Sequence, residues 1–324
     1  MPSLRPLDSL IVDVLLDNQS DSYSSKPSHV SPEFANVIDA GAKELSGTTL
    51  CCAQLGLSLM LTGYSGTKRH KVLFDAGPEG AIFVRNCQNL GVALDDVEEI
   101  VITHGHWDHM GALTAAIDEI TRGNRRVPCH VNPGMFLERG AKLNDGRVAP
   151  FQKVPSPQVL AEHGAEVINK EEERTLLDDF FYLSGEIPRV TTFETGRLDH
   201  LCRDAEDKPW RPDPLLMDER YLAADVRGKG LIVFSACSHA GIINVLHHAR
   251  GTFGDLPIYG VFGGLHLVGS LEQIIPETIE NLKLFQPKQI MPAHCSGWRA
   301  SCALVNAFGE SIVVPSAVGS RYTF

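Results

Sequence analysis

A chain of 324 residues with 43% hydrophobic and 21% charged residues has ample apolar material for a packed core, which excludes a disordered or fibrous protein. Its net charge of −11 argues against a nucleic acid or an anionic membrane surface as partner, because both are bound largely through Lys and Arg. No unbroken apolar run approaches the roughly 20 residues that cross a bilayer.

At the N-terminus, MPSLRPLDSLIVDVLLDNQSDS places one Arg before a short apolar run. Asp8 and Asp13 interrupt that run and no small-residue cleavage site follows, so no signal peptide is expected. The eight cysteines are scattered rather than framed, which reads as reduced thiols in a cytoplasmic protein. Short β-rich apolar runs lie at residues 10–16, 57–62, 72–74, 99–103, 180–183, 231–234, 258–262 and 289–291. Several are almost continuously apolar, as strands covered on both faces are. Apolar residues at helical spacing occupy 111–121, 243–250, 271–285 and 299–308. Strands alternating with helices imply a layered α/β architecture. Residues 142–229 are rich in Pro and charge with few periodic runs, and read as an insertion that partly covers a site.

Many of the runs end in a reactive side chain followed by a loop former. Phe74-Asp75-Ala76-Gly77, Thr103-His104-Gly105-His106, Ser235-Ala236-Cys237-Ser238-His239, Gly263-Gly264-Leu265-His266 and Pro292-Ala293-His294-Cys295 all do so. Functional groups at strand ends assemble along one rim of a sheet. The pattern therefore predicts one site drawn from the whole chain and one domain, 1–324.

The densest of these segments is ITHGHWDHMGAL, with His104, His106, Asp108 and His109 within six residues. Neutral imidazoles bind borderline divalent cations and a carboxylate adds an anionic oxygen. His104 and His106 suit one ion, and Asp108 and His109 a second beside it. If these histidines only capped a helix, four desolvated polar groups would still need partners, which a metal supplies.

HGHWDH matches the H-x-H-x-D-H signature, and the sequence here resembles the metallo-β-lactamase superfamily. Leu73-Phe74-Asp75-Ala76-Gly77 is similar to the strand-ending Asp motif of that superfamily. Leu16-Asp17-Asn18, Gly56-Leu57-Ser58, Cys237-Ser238-His239-Ala240-Gly241-Ile242, Gly263-Gly264-Leu265-His266-Leu267 and Pro292-Ala293-His294-Cys295 resemble its dihydropterin (ribofuranosyl-aminobenzene-phosphate) synthase-like branch. The resemblance implies a four-layer αββα sandwich with one or two metal ions at one edge. It implies His104, His106, Asp108 and His109 as ligands and His294 as the last ligand histidine. No G-H-T-x-G segment supplies the usual third histidine, and the strand that usually ends in a bridging Asp reads Phe234-Ser235-Ala236-Cys237-Ser238-His239. His239 is the candidate for the missing imidazole, and Cys237 is either a thiolate ligand or a buried small residue.

His266 is a candidate ligand, substrate donor or support for a ligand, and Asp75 a candidate to orient a ligand histidine. Glu186 and Arg189 face the site with Arg189 on an anionic substrate group, or else form a plain surface turn. The chemistry expected is that of a metal-dependent hydrolase, using a metal-activated hydroxide on a small anionic molecule such as a phosphate ester, phosphodiester or lactone. The ion is Zn, with Mn or Fe as alternatives. Asp108 would position the nucleophile and His266 assist the leaving group. The branch implies a second reaction class, carbon–nitrogen bond formation between a pterin and a phosphoribosyl compound, for which Arg139, Arg147 or Arg189 would form a phosphate pocket. A non-catalytic metal-binding module is the third reading, disfavoured because structural zinc sites are usually closed and Cys-rich.

Overall fold

The computed structural model describes residues 3–122 and 125–324. Eight strands form one sheet in the order Val30–Ser31, Arg321–Thr323, Ser9–Leu16, Ser58–Ser65, Lys68–Phe74, Glu99–Val101, Val127–Val131 and Ala165–Asn169. Six form a second, in the order Arg174–Leu176, Phe181–Leu183, Leu222–Val226, Gly230–Ser235, Ile258–Gly263 and Gln289–Pro292.

Alternation along each strand builds the layers. Leu59, Leu61, Val72 and Phe74 turn inward and meet Leu222, Ala224, Ile232 and Phe234 of the other sheet in one buried cluster. The residues between them, Met60 and Leu73, turn outward and pack with Phe83, Cys87, Ala116 and Ile117 on helices Gly80–Asn89 and Leu113–Ile120. On the far side Leu231, Val233 and Val261 pack with Ile243, Leu246, Ile279, Leu282 and Leu304 of helices Ile242–Phe253, Ile275–Lys283 and Trp298–Phe308. The result is a four-layer αββα sandwich, as expected.

What positions the site is the parallel part of each sheet. Lys68–Phe74 pairs in parallel with Glu99–Val101, and Gly230–Ser235, Ile258–Gly263 and Gln289–Pro292 are parallel neighbours. Phe74 stands opposite Val101, Ser235 opposite Gly263, and Gly263 opposite Pro292. The strands therefore stop at matching levels, and the loops that follow them leave the same rim, where open α/β sheets place their sites.

Several elements differ from the sequence reading. Helix Gly80–Asn89 and strands Val127–Val131 and Leu222–Val226 were not expected, the second because Pro128 and His130 break its apolar run. The helix expected over 271–285 begins as a 3-10 turn, Gly269–Ile274, and becomes α-helical only at Ile275, next to Pro276. Residues 142–229 are not one insertion. Ala165–Asn169 closes the eight-stranded sheet, and Arg174–Leu176, Phe181–Leu183 and Leu222–Val226 belong to the six-stranded one. What stands apart is a four-stranded sheet, Arg211–Pro212, His200–Arg203, Glu138–Lys142 and Val148–Pro150, which starts before residue 142.

The segment leading to His200 also ties down the second half of the sandwich. Glu194 accepts from Ile243 N at 2.8 Å and Asn244 N at 2.9 Å, filling the open amides of helix Ile242–Phe253. Glu194→Ala leaves buried donors without an acceptor and should lower stability by about 1–3 kcal/mol in urea denaturation. An unchanged midpoint would show that this cap contributes nothing.

Candidate metal centre

The loop after Glu99–Val101 is shaped by close packing. A Cβ on Gly105 would lie 2.0 Å from Met135 O, so only glycine fits between His104 and His106. Asp218 accepts from Gly105 N at 2.8 Å and is itself paired with buried Arg139 at 2.6 Å, while Arg139 donates to Gly105 O at 3.1 Å. The loop between His104 and His106 is thus held by a buried ion pair from elsewhere in the chain. Four reactive strand ends take the left-handed backbone without being glycine: Asp75 (φ 54°), Ser238 (φ 55°), His266 (φ 47°) and His294 (φ 45°). Each costs on the order of 1–3 kcal/mol, and such strain gathers at functional sites.

Two groups of donor atoms result. His104, His106 and His239 place one ligand atom each within 4.8 Å of one another, and so do Asp108, His109 and His294. His104 and Cys237 come as close to His109, so the thiol lies between the two groups. Its Sγ is 3.3 Å from His109 Nε2 and 3.3 Å from Cys295 Sγ. Cys237, Cys295 and His266 form a further cluster of the same size.

Supporting contacts orient the rings. Fully buried Asp75 accepts from Thr103 N and Thr103 Oγ1, both at 2.8 Å, and its Oδ2 lies 2.7 Å from His109 Nδ1. That leaves His109 Nε2 facing the centre, with Asp75 fixing the orientation of its ring. His294 Nδ1 is fixed by Asn18 Oδ1 at 2.8 Å, and its Nε2 is 3.3 Å from Asp108 Oδ2. Asp17, which burial raises to about 6, accepts from His294 N at 3.0 Å. Glu219, raised by burial to about 7, accepts from His239 N and Ala240 N.

The donor set fits a divalent cation. Both ring nitrogens of buried His239 lack a hydrogen-bond partner, an arrangement that costs free energy unless something else is bound. Burial, reinforced by neighbouring imidazoles, holds His104, His106 and His239 well below the ordinary histidine range, so all three offer lone pairs. In the other group burial opposes charge, yet His109 and His294 bring Asp108 down to about 2. Cys295 and Asp108 carry His294, against its burial, up to about 9. A cation binding between Asp108 and His294 would replace that proton.

Not every sequence candidate reaches the centre. Glu186 is exposed, and Arg189 donates to Ile187 O and, at 2.7 Å, to Leu215 O. Arg139 is committed to Asp218 and Arg147 to Asp145 in an exposed turn, so the three arginines form no shared phosphate pocket. The arginine that does reach the site is Arg197, whose Nη1 lies 2.9 Å from His266 Nε2. His200 also arrives unexpectedly, its Nε2 2.9 Å from His106 Nε2. Both sit in RLDHLCRD, a stretch without periodicity that gave no signal beyond its composition.

Comparison with known proteins agrees with this fold. The family model of the metallo-beta-lactamase superfamily matches residues 61–177. A Methanocaldococcus jannaschii protein named 7,8-dihydropterin-6-methyl-4-(beta-D-ribofuranosyl)-aminobenzene-5'-phosphate synthase is 27% identical over 260 residues, 80% of this chain and 86% of that one. An uncharacterized protein of the same organism is 29% identical over 248 residues, 76% of this chain and 86% of its own. Among solved structures, Tm1679, described as a metal-dependent hydrolase of the beta-lactamase superfamily, superposes with a TM-score of 0.69. It is 21% identical, and the match covers 96% of this chain and 98% of that one.

Proposed function

The chain belongs to the metallo-β-lactamase superfamily, and from that premise we propose that it is a metal-dependent hydrolase of a small anionic molecule. The observation that carries this reading is the pairing of two donor groups, His104/His106/His239 and Asp108/His109/His294, at one sheet rim. In this proposal each group holds one divalent cation. Zinc suits imidazole, carboxylate and the nearby Cys237 thiol, with manganese or iron as alternatives. Such ions, when bound, lower the pKa of water toward neutrality and polarise the oxygen of a scissile bond.

The chain's own groups then do the positioning. Asp108 is the one donor of the set with a side chain partly open to solvent (15%), so its carboxylate both binds and orients the attacking water. His266 accepts from Arg197 at Nε2 and therefore carries its ring proton on Nδ1, which has no protein partner. We assign it the hydrogen bond, from Nδ1–H, that steadies the charge growing on the leaving oxygen, whose proton then comes from solvent. The expected substrates are a phosphate ester, a phosphodiester or a lactone.

The relative named as a synthase favours a second reading, joining a dihydropterin to a ribofuranosyl-aminobenzene phosphate at the same centre. Chromogenic phosphodiester and lactone substrates should be turned over by zinc-loaded protein and not after chelation. If they are inert while the two synthase substrates yield a joined product mass, the hydrolase reading fails and the synthase reading replaces it.

A further inference from the structure

Four strands stand apart from the sandwich, and each sends a side chain toward the loop that carries His104 and His106. Arg139, on Glu138–Lys142, donates to Gly105 O at 3.1 Å. Phe151, one residue past Val148–Pro150, packs edge-on against His106, with ring centroids 5.7 Å apart. His200 opens His200–Arg203 and is only 2% exposed. Asp213 follows Arg211–Pro212 and donates from its amide to His200 O at 2.9 Å. Its Oδ2 lies 3.8 Å from His200 Nδ1 and accepts from Arg139 Nε at 3.4 Å.

The hydrogens on these rings follow from their partners. Thr103 Oγ1 gives its hydrogen to Asp75, so at 2.9 Å it accepts from His104 Nδ1–H. His104 Nε2 is then a lone pair, and it stands 3.0 Å from His106 Nδ1 within the first donor group. For His106 Nδ1 to offer a second lone pair to a cation, the hydrogen of that ring must sit on Nε2. His106 Nε2 is 2.9 Å from His200 Nε2, and two ring nitrogens so close share one hydrogen. His200 must then accept at Nε2 and hold its own hydrogen on Nδ1. That nitrogen has no hydrogen-bond partner among the described residues, and the Asp213 carboxylate on its side favours the hydrogen there.

We infer that His200 is a positioning residue of the first donor group. It accepts the Nε2 hydrogen of His106, turns the Nδ1 lone pair of that ring toward a cation, and so makes the four-stranded sheet a clamp on the centre. A ligand histidine whose other nitrogen is held in this way binds metal more tightly. The coupling runs both ways, since a cation that needs this tautomer of His106 also stabilises the seated sheet. The inference rests on the proposed two-cation centre, and it concerns metal affinity rather than turnover.

Zinc affinity, measured by competition with a chromogenic chelator, tests it on one donor group at a time. His294→Ala leaves the first group whole, and His239→Ala the second. Adding His200→Phe keeps an aromatic ring but removes the acceptor. Zinc should weaken roughly ten- to a hundredfold beside His294→Ala and stay unchanged beside His239→Ala. His200→Gln, whose amide oxygen accepts, should recover most of the loss. Thermal denaturation shows whether each variant folds. If His200→Phe does not, Asp213→Asn decides on the same criterion, because it removes the charge that favours a hydrogen on His200 Nδ1. Equal losses in both backgrounds, or none beside His294→Ala, would overturn the inference and leave the two-cation centre standing. If the His294→Ala protein binds no zinc even with His200 intact, the two-cation reading itself fails and the inference with it.

Discussion

Asp75→Ala should lower folding stability by about 3–5 kcal/mol, the cost of breaking a fully buried charged network. Asp75 has no exposed surface, and three donors converge on it: Thr103 N, Thr103 Oγ1 and His109 Nδ1. Alanine would strand all of them away from water, in a residue that also holds an unfavourable φ of 54°. Alanine relieves none of that backbone strain. Asp75→Asn keeps one acceptor oxygen and the shape of the side chain, so it should fold better. It would still lose the charge that fixes the His109 tautomer, weakening metal binding roughly ten- to a hundredfold. Urea denaturation of both variants, with metal affinity measured on the asparagine one, separates the two roles. A loss below about 1 kcal/mol for the alanine variant would mean that Thr103 and His109 find other partners.

Asp108→Ala is expected to do the reverse. Its carboxylate meets His294 and His109 at the open side of the centre, at 3.3 and 3.9 Å, and supports no backbone amide in another element. Turnover should drop on the order of a thousandfold, since in the proposed mechanism the substitution removes a ligand and the group that orients the attacking water. Stability in the metal-free state should fall by about 1–3 kcal/mol, less than for Asp75→Ala, because the pair it breaks is largely buried but strands no backbone donor. Retention of more than a tenth of native turnover would remove Asp108 from the mechanism.

The contrast between these aspartates was legible only in part from the sequence. Both were visible as strand-end or loop carboxylates, and periodicity placed most of the strands that carry them. The H-x-H-x-D-H spacing put four candidate donors in one loop, and the segments around Cys237, His266 and His294 supplied the other candidates that the fold brings beside them. The partners of those donors were not legible, because they come from positions without local pattern. Asp218 pins Gly105 from 113 residues away, and Asn18 fixes His294 from 276. His200 and Arg197 lie in RLDHLCRD, where charge-rich sequence has no period to read. Arg189, read from its turn either as a substrate group or as plain surface, is engaged by carbonyl oxygens. A guanidinium's partner is settled by tertiary packing, and neighbouring residues in sequence say little about it.

The central proposal is a centre of two cations divided between two donor groups. Elemental analysis of protein purified without added metal tests it most directly, on the native chain beside His239→Ala and His294→Ala. Each substitution removes one imidazole from one group and leaves the other group whole. Two ions per chain in the native protein and one in each variant is the expected result. A native protein with a single ion that survives either substitution would contradict it.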